Sequence, residues 1–329
     1  MRAAHARSAP AFRGAALCAI VGRSMDRVTV YAPGSTSNVG PGFDCLGIAV
    51  TGLGDKVSAA RRAVPGVRVQ EVSDPRIPSD PDRNTAALAA LAVLERAEAS
   101  GVGLELRIDK GLPLAGGLGG SAASAVAGAV AANAVLGGPL DTDALLECAI
   151  AAEAEIAGRH ADNVAPSLLG GAVLVLGLDP PRYARLTVHP SLRLVFVMPS
   201  YQVATAQARA LLPVVVERSE AVAQAAHLAS LVVALERGDL KLLRTAIVDR
   251  IAEPGRIPLY PGYAEARAAA LAAGAVGVAV SGAGPTLLAL CTDESARAVG
   301  EAAAHGYDGL GEPPRVHVAR VDAEGARIL

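Results

Sequence analysis

Residues 104–108 alternate strictly, with Leu104, Leu106 and Ile108 separated by Glu105 and Arg107. A period of two predicts a strand with one buried face. Helical spacing takes over in residues 85–99, where Ala and Leu recur behind Asn84, a residue suited to an N-cap. Residues 121–136 are small and apolar all round, as in a helix enclosed between layers. Asp141 or Thr142 caps the next expected helix, which runs to about Ile156. Before these, Val28 and Val30 predict a strand running into a glycine-rich loop at residues 33–42. A second apolar stretch (46–53), a polar strand region and a Pro/Asp turn zone (73–84) follow. Residues 157–166 read as a loop and 168–178 as a strand interrupted by glycine.

Residues 180–190, with Pro180, Pro181 and Pro190, read as a linker. This places a boundary between expected domains at 27–185 and 186–329. Beyond it the pattern predicts a strand at 192–198 and helices at 203–212, 219–237 and 239–251. A hairpin is expected from 276–280 and 287–290, around Ser281-Gly282-Ala283-Gly284-Pro285. The mixture of strands and helices fits an α+β pair of domains.

Length agrees, since 329 residues is more than one average domain. Hydrophobic residues make up 52%, enough for a sizeable core, yet aromatics are only 3% and Trp is absent. The core must therefore be built from Ala, Val and Leu, and stacking platforms for nucleic-acid bases are excluded. A net charge of −2, with Lys56, Lys110 and Lys241 as the only lysines, excludes the basic footprint of a nucleic-acid binder. Cys18, Cys45, Cys148 and Cys291 form no Cys-x-x-Cys pair, which speaks against a zinc site or disulfide framework and for thiols in a reducing cytoplasm. No apolar run reaches the roughly 20 residues of a membrane span. Residues 1–26 carry Arg2, Arg7, Arg13 and Arg23 around a short apolar patch. They imitate a weak signal peptide, but strand residues follow at once, so a disordered tail or a misassigned start is expected.

Chemistry concentrates in three loops. The first is Pro113-Leu114-Ala115-Gly116-Gly117-Leu118-Gly119-Gly120-Ser121-Ala122-Ala123-Ser124, between a strand and the enclosed helix. Glycines let main-chain N–H groups converge, and the helix start adds unpaired N–H groups and a positive dipole end. Such a loop cradles phosphates, although a turn for close helix packing looks the same by itself. A Walker A reading fails because Gly120, not a lysine, directly precedes Ser121. A dinucleotide fingerprint is weak because Asp141 and Asp143 open a helix instead of ending a strand.

The second loop is Pro33-Gly34-Ser35-Thr36-Ser37-Asn38-Val39-Gly40-Pro41-Gly42-Phe43-Asp44, where Asn38 and Asp44 offer a neutral and a charged acceptor to an ammonium group. Alone, it reads equally as turn chemistry. In the third, Glu153 suits a magnesium ion shared with phosphates, and His160, Asp162 and Asn163 suit a substrate hydroxyl. Alone, these last three read equally as an exposed turn.

Taken in order, these loops and Ser281-Gly282-Ala283-Gly284-Pro285-Thr286 resemble the GHMP small-molecule kinases over about residues 28–290. Within that superfamily the Ser37–Asp44 loop and His160-Ala161-Asp162-Asn163-Val164-Ala165-Pro166 resemble the homoserine kinases. The resemblance implies an N-terminal domain like ribosomal protein S5 domain 2 and a ferredoxin-like C-terminal domain. It implies ATP on residues 113–124 and Mg²⁺ on Ser121 and Glu153. The ammonium of L-homoserine would lie on Asn38 and Asp44, its hydroxyl on His160 and Asn163, and its carboxylate on Arg209 and Arg256. Asp162 matches a catalytic aspartate of related kinases, whereas homoserine kinases are thought to work without one, so its role stays open. Gly120 is a departure, standing where homoserine kinases usually carry the first serine of Gly-Leu-Gly-Ser-Ser. A mevalonate-type or sugar kinase, and a silent ATP-binding relative, are the alternatives. A homodimer is expected from the superfamily.

Overall fold

The computed structural model describes residues 25–329; the expected disordered tail or misassigned start over residues 1–24, and Cys18, lie outside the described residues. Strand β1 (Arg27–Asn38) pairs antiparallel with the long β2 (Gly42–Arg62), which turns its far half to β4 (Gly103–Asp109) and its near half to β5 (Ala172–Leu178). Strand β3 (Gly66–Val72) runs parallel to β4 at one edge, and β6 (Pro181–Leu186) pairs with β5. The alternation of β4 survives intact, with Leu104, Leu106 and Ile108 buried and the residues between them more open.

Three helices cover this sheet. In α1 (Thr85–Arg96) the side-chain oxygen of Asn84 accepts from the N–H groups of Ala86 (3.1 Å) and Ala87 (3.2 Å), the expected cap. In α3 (Thr142–Ile156) Asp141 does the same for Ala144 at 2.9 Å. Between them and the sheet lies α2 (Gly120–Leu136), buried from Ala122 to Val135. Its alanines allow that close approach on every side.

Around the first sheet, three expectations need correction. Most of the predicted loop at 33–42 is strand, because Ser35, Thr36 and Ser37 find distant hydroxyl and amide partners that let a polar run enter the core. The predicted linker contains β6, whose ladder to β5 satisfies its main chain. The loop at 157–166 gives way to a short helix, α4 (Val164–Leu169), all of it buried.

A second sheet is antiparallel throughout. It is built from β7 (Leu192–Met198), β8 (Gly277–Val280), β9 (Leu287–Thr292) and β10 (Arg315–Ala319), in the order β10-β7-β9-β8. β8 and β9 form the expected hairpin. The segment between β7 and β8 holds α5 (Thr205–Ala210), α6 (Arg218–Arg237), α7 (Leu240–Ala246), α8 (Glu253–Arg256) and α9 (Tyr263–Ala272). The predicted helix at 239–251 stops at Ala246, and Asp249 then accepts from the N–H groups of Ile251, Ala252 and Glu253. α9 and α10 (Asp293–Ala304) pack on the second sheet around their own core, which includes Tyr263 and Val195. A last strand, β11 (Arg327–Ile328), returns to pair with β1 of the first sheet. Among the described residues no helix is long and apolar enough to cross a membrane.

Candidate active site

The β8–β9 turn meets the end of β1 and the glycine loop, so the two sheets join where the loops converge. Gly282 donates its N–H to Ser37 O at 3.0 Å. Ser281 donates its hydroxyl to Gly117 O at 2.6 Å and shares a 2.8 Å hydrogen bond with Thr36 Oγ1. Ser35 donates its N–H to Leu118 O at 3.2 Å. These bonds seat the glycine loop on both sheets at once.

Gly119, in the left-handed region at φ 64°, precedes the first turn of α2, and no side chain caps that turn. A Cβ at Gly119 would lie 2.3 Å from Ser35 Oγ and 2.8 Å from Asn163 Oδ1, so only glycine fits. The N–H groups of that first turn have no intrahelical acceptor, which makes the helix end an anion cradle.

One cleft is lined by Asn38, Asp44, Glu153, His160, Asp162, Asn163, Arg209 and Arg256 together with Pro113, Leu114, Ala115, Gly116, Gly117, Gly119, Gly120, Ser121 and Ser124. Three expected nucleotide residues take another place: Leu118, Ala122 and Ala123 turn their side chains into the core. Ser121 donates its hydroxyl to Glu153 Oε1 at 2.6 Å, bringing the proposed metal pair together.

The far end of the cleft carries balanced charge. Arg209 forms a bidentate pair with Asp44, at 2.8 and 3.1 Å. Asn38 donates to Gly282 O at 2.7 Å and accepts from the Asp44 N–H at 3.0 Å, which fixes its amide beside that carboxylate. Arg256 is 3% exposed, donates to Ala208 O at 3.1 Å and lies 5.1 Å from the Phe43 ring centroid. Asn163 donates to Ser37 Oγ at 2.9 Å and accepts from Ser35 at 3.0 Å, so both ends of its amide are held.

Among the described residues, three polar atoms of cleft-lining side chains are buried without a hydrogen-bond partner: Glu153 Oε2, His160 Nδ1 and Asp162 Oδ1. A buried polar group left unpaired is costly, which makes these three atoms candidates to meet a bound ligand. Burial pushes the Glu153 carboxyl above the usual range, against the Ser121 hydrogen bond and the charges of His160 and Lys110. Burial likewise raises Asp162, with His160 opposing and Asp44 adding to the rise. Sequence reasoning missed Ser35 and Ser37 as the clamp on Asn163, and it missed Asp55 and Lys110 beneath the glycine loop. A rare lysine just before that loop was the one available signal.

The family model for the GHMP kinases N terminal domain matches residues 84–171, and that for the GHMP kinases C terminal matches residues 231–309. The homoserine kinase of Xanthomonas campestris pv. campestris is 39% identical over 311 residues, 93% of this chain and 95% of that protein. The chain belongs to the homoserine kinase family. The homoserine kinase of Arabidopsis thaliana is 40% identical, across 92% of this chain and 84% of its own. The crystal structure of homoserine kinase from Cytophaga hutchinsonii superposes with a TM-score of 0.89 at 38% identity, covering 93% of this chain and 98% of that one. The two-domain α+β architecture is therefore that of the GHMP kinases. Against the homoserine kinase pattern, Gly120 is not imposed by crowding. The nearest atom to a Cβ there is Lys110 Nζ at 3.4 Å, an ordinary contact.

Proposed function

We propose that this protein transfers the γ-phosphoryl group of ATP to the side-chain hydroxyl of L-homoserine, giving O-phospho-L-homoserine and ADP for threonine biosynthesis. The observation that carries the reading is the joining, in one cleft, of an uncapped helix start with an Asp44–Arg209 charge pair. An amino acid brings the matching zwitterion, with its ammonium toward Asp44 and Asn38 and its carboxylate toward Arg209 and Arg256. A mevalonate or galactose acceptor has no ammonium for Asp44.

Phosphoryl transfer passes through a loose transition state, so positioning and charge neutralisation do most of the work. The loop N–H groups hold phosphate oxygens. Asn163, clamped by Ser35 and Ser37, and His160 orient the acceptor hydroxyl. The unpaired Glu153 oxygen and the Ser121 hydroxyl fit a hard cation that draws its other ligands from phosphate and water, so these two residues would hold Mg²⁺. Bound there, the ion would neutralise phosphate charge. We also read the protein as cytoplasmic, in keeping with the free thiols Cys45, Cys148 and Cys291, and as a homodimer.

ADP release with homoserine, mevalonate and galactose in parallel tests the reading: turnover with homoserine alone supports it. Turnover on mevalonate or galactose, or ATP binding without turnover, overturns it. In the same assay Arg209→Met is expected to raise the homoserine KM about 10- to 100-fold, the cost of a charged hydrogen-bond partner. Its ATP KM should stay near that of the unchanged protein.

Asp162 is assigned a positioning role for Asn163, because a loose transition state needs no strong base. Asp162→Asn should lower the pH–rate profile without removing a limb, and loss of a limb would make Asp162 the base. The same variant has a stability signature. The folded carboxyl is raised above its unfolded value of about 4, so its favourable neutral form is complete below that pH and lost as pH rises through the folded pKa. Asparagine cannot ionise. The variant's Tm should therefore exceed the parent's at pH 8, by a margin that shrinks toward pH 4.

A further inference from the structure

Asp55 lies on β2 with no exposed surface, and Lys110 follows β4 directly. Their side chains meet beneath the glycine loop in a buried ion pair. Both side chains are fully bonded. Asp55 Oδ1 accepts from the main-chain N–H groups of Gly111 (3.2 Å) and Leu112 (3.3 Å). Its Oδ2 accepts from the Lys110 ammonium and from the Ser124 hydroxyl, the latter at 2.7 Å. The ammonium also donates to Gly120 O at 2.7 Å and to Ser124 Oγ at 3.0 Å. The carboxylate grips the loop where it leaves β4, and the ammonium grips it where it enters α2.

Stability does not explain this arrangement. Burying two charges carries a desolvation cost that a well-packed apolar pair avoids. The ammonium, moreover, sits at the N-terminal end of α2, the end whose dipole disfavours a cation. What the pair supplies is geometry. Both ends of the loop are held to one fully bonded point, and such networks specify a single conformation. Lys110 lines the cleft, yet its three N–H bonds are committed, so it acts on a phosphate through the loop it holds.

We propose that Asp55 and Lys110 are positioning residues that keep residues 111–120 in their phosphate-binding shape, with Ser124 serving this knot instead of touching nucleotide. The inference rests on the ATP reading of the loop. Calorimetric titration with AMP-PNP and magnesium tests it on the parent, on Ser124→Ala and on the double variant Asp55→Leu/Lys110→Met. Ser124→Ala, which removes one hydrogen bond, should weaken AMP-PNP binding about fivefold. The double variant exchanges the ion pair for apolar groups. It should melt lower than the parent, because the Gly111 and Leu112 N–H groups and Gly120 O lose their partners, yet stay folded and bind AMP-PNP on the order of 100-fold more weakly. Its homoserine KM should be little changed, a split that general loosening of the fold would not produce. A folded double variant with the parent's AMP-PNP affinity overturns the proposal. Should it fail to fold, Ser124→Ala decides, and unchanged affinity there overturns it too. A parent protein that binds no AMP-PNP overturns the ATP reading itself, which is a separate result.

Discussion

Glu153→Gln is expected to lower kcat on the order of 100- to 1000-fold, the scale of losing one fixed electrostatic group at a reacting phosphate. The substitution keeps shape and leaves an amide oxygen for the Ser121 hydroxyl, so the 2.6 Å contact survives. What goes is the negative charge that suits a divalent cation. Glu153 is 3% exposed and its second oxygen has no partner among the described residues, so ionising it carries a desolvation cost that a purely structural residue would not need. The variant should therefore melt no lower than the parent while requiring far more magnesium for the same rate. A magnesium titration of kcat beside a thermal melt checks both. A rate near the parent's at ordinary magnesium would remove Glu153 from the metal site.

Gly47→Ala should lower kcat by about 100-fold with no change to any group that meets substrate. Gly47 lies on β2, and a Cβ there would sit 1.6 Å from the main-chain oxygen of Asp162 and 2.9 Å from Pro166 Cγ. Neither neighbour is a flexible side-chain tip, so the 160–166 segment must move. His160 and Asn163 move with it, and a shift near 1 Å misaims the acceptor hydroxyl. Overpacking of this kind also costs about 1–3 kcal/mol of stability. The assay is kcat on protein shown to be folded by circular dichroism at a temperature below its own melt. A folded variant at the parent's rate would show that the segment yields without disturbing Asn163.

Local rules were enough for much of the scaffold. Asn84 and Asp141 cap their helices because a short polar side chain before an apolar helical repeat has a nearby N–H to bond. β4 follows its alternation, and α2 is enclosed because nothing polar obstructs its sides apart from Ser121 at its start, Ser124 and Asn133. The loop motifs also placed most of the proposed cleft residues, because glycine spacing and clustered polar groups are visible without coordinates.

Other features depend on partners far along the chain. Ser35 and Asn163 are 128 residues apart, and Thr36 and Ser281 are 245 apart. Without those bonds the run Ser35-Thr36-Ser37 looks like a loop; with them it is buried strand. Asp44 and Arg209, which the resemblance gave to opposite ends of an amino acid, bond each other across 165 residues. β6 reads as a linker until β5 supplies its ladder. The amino-acid order by itself determined where helices begin, which faces are apolar and which loops bear glycine and carboxylate, since those follow from interactions between near neighbours. Only the tertiary structure decided which buried polar groups are paired, which of the described ones are not, and that Asp55 and Lys110 share one point, because desolvation and hydrogen bonding depend on what distant segments bring close.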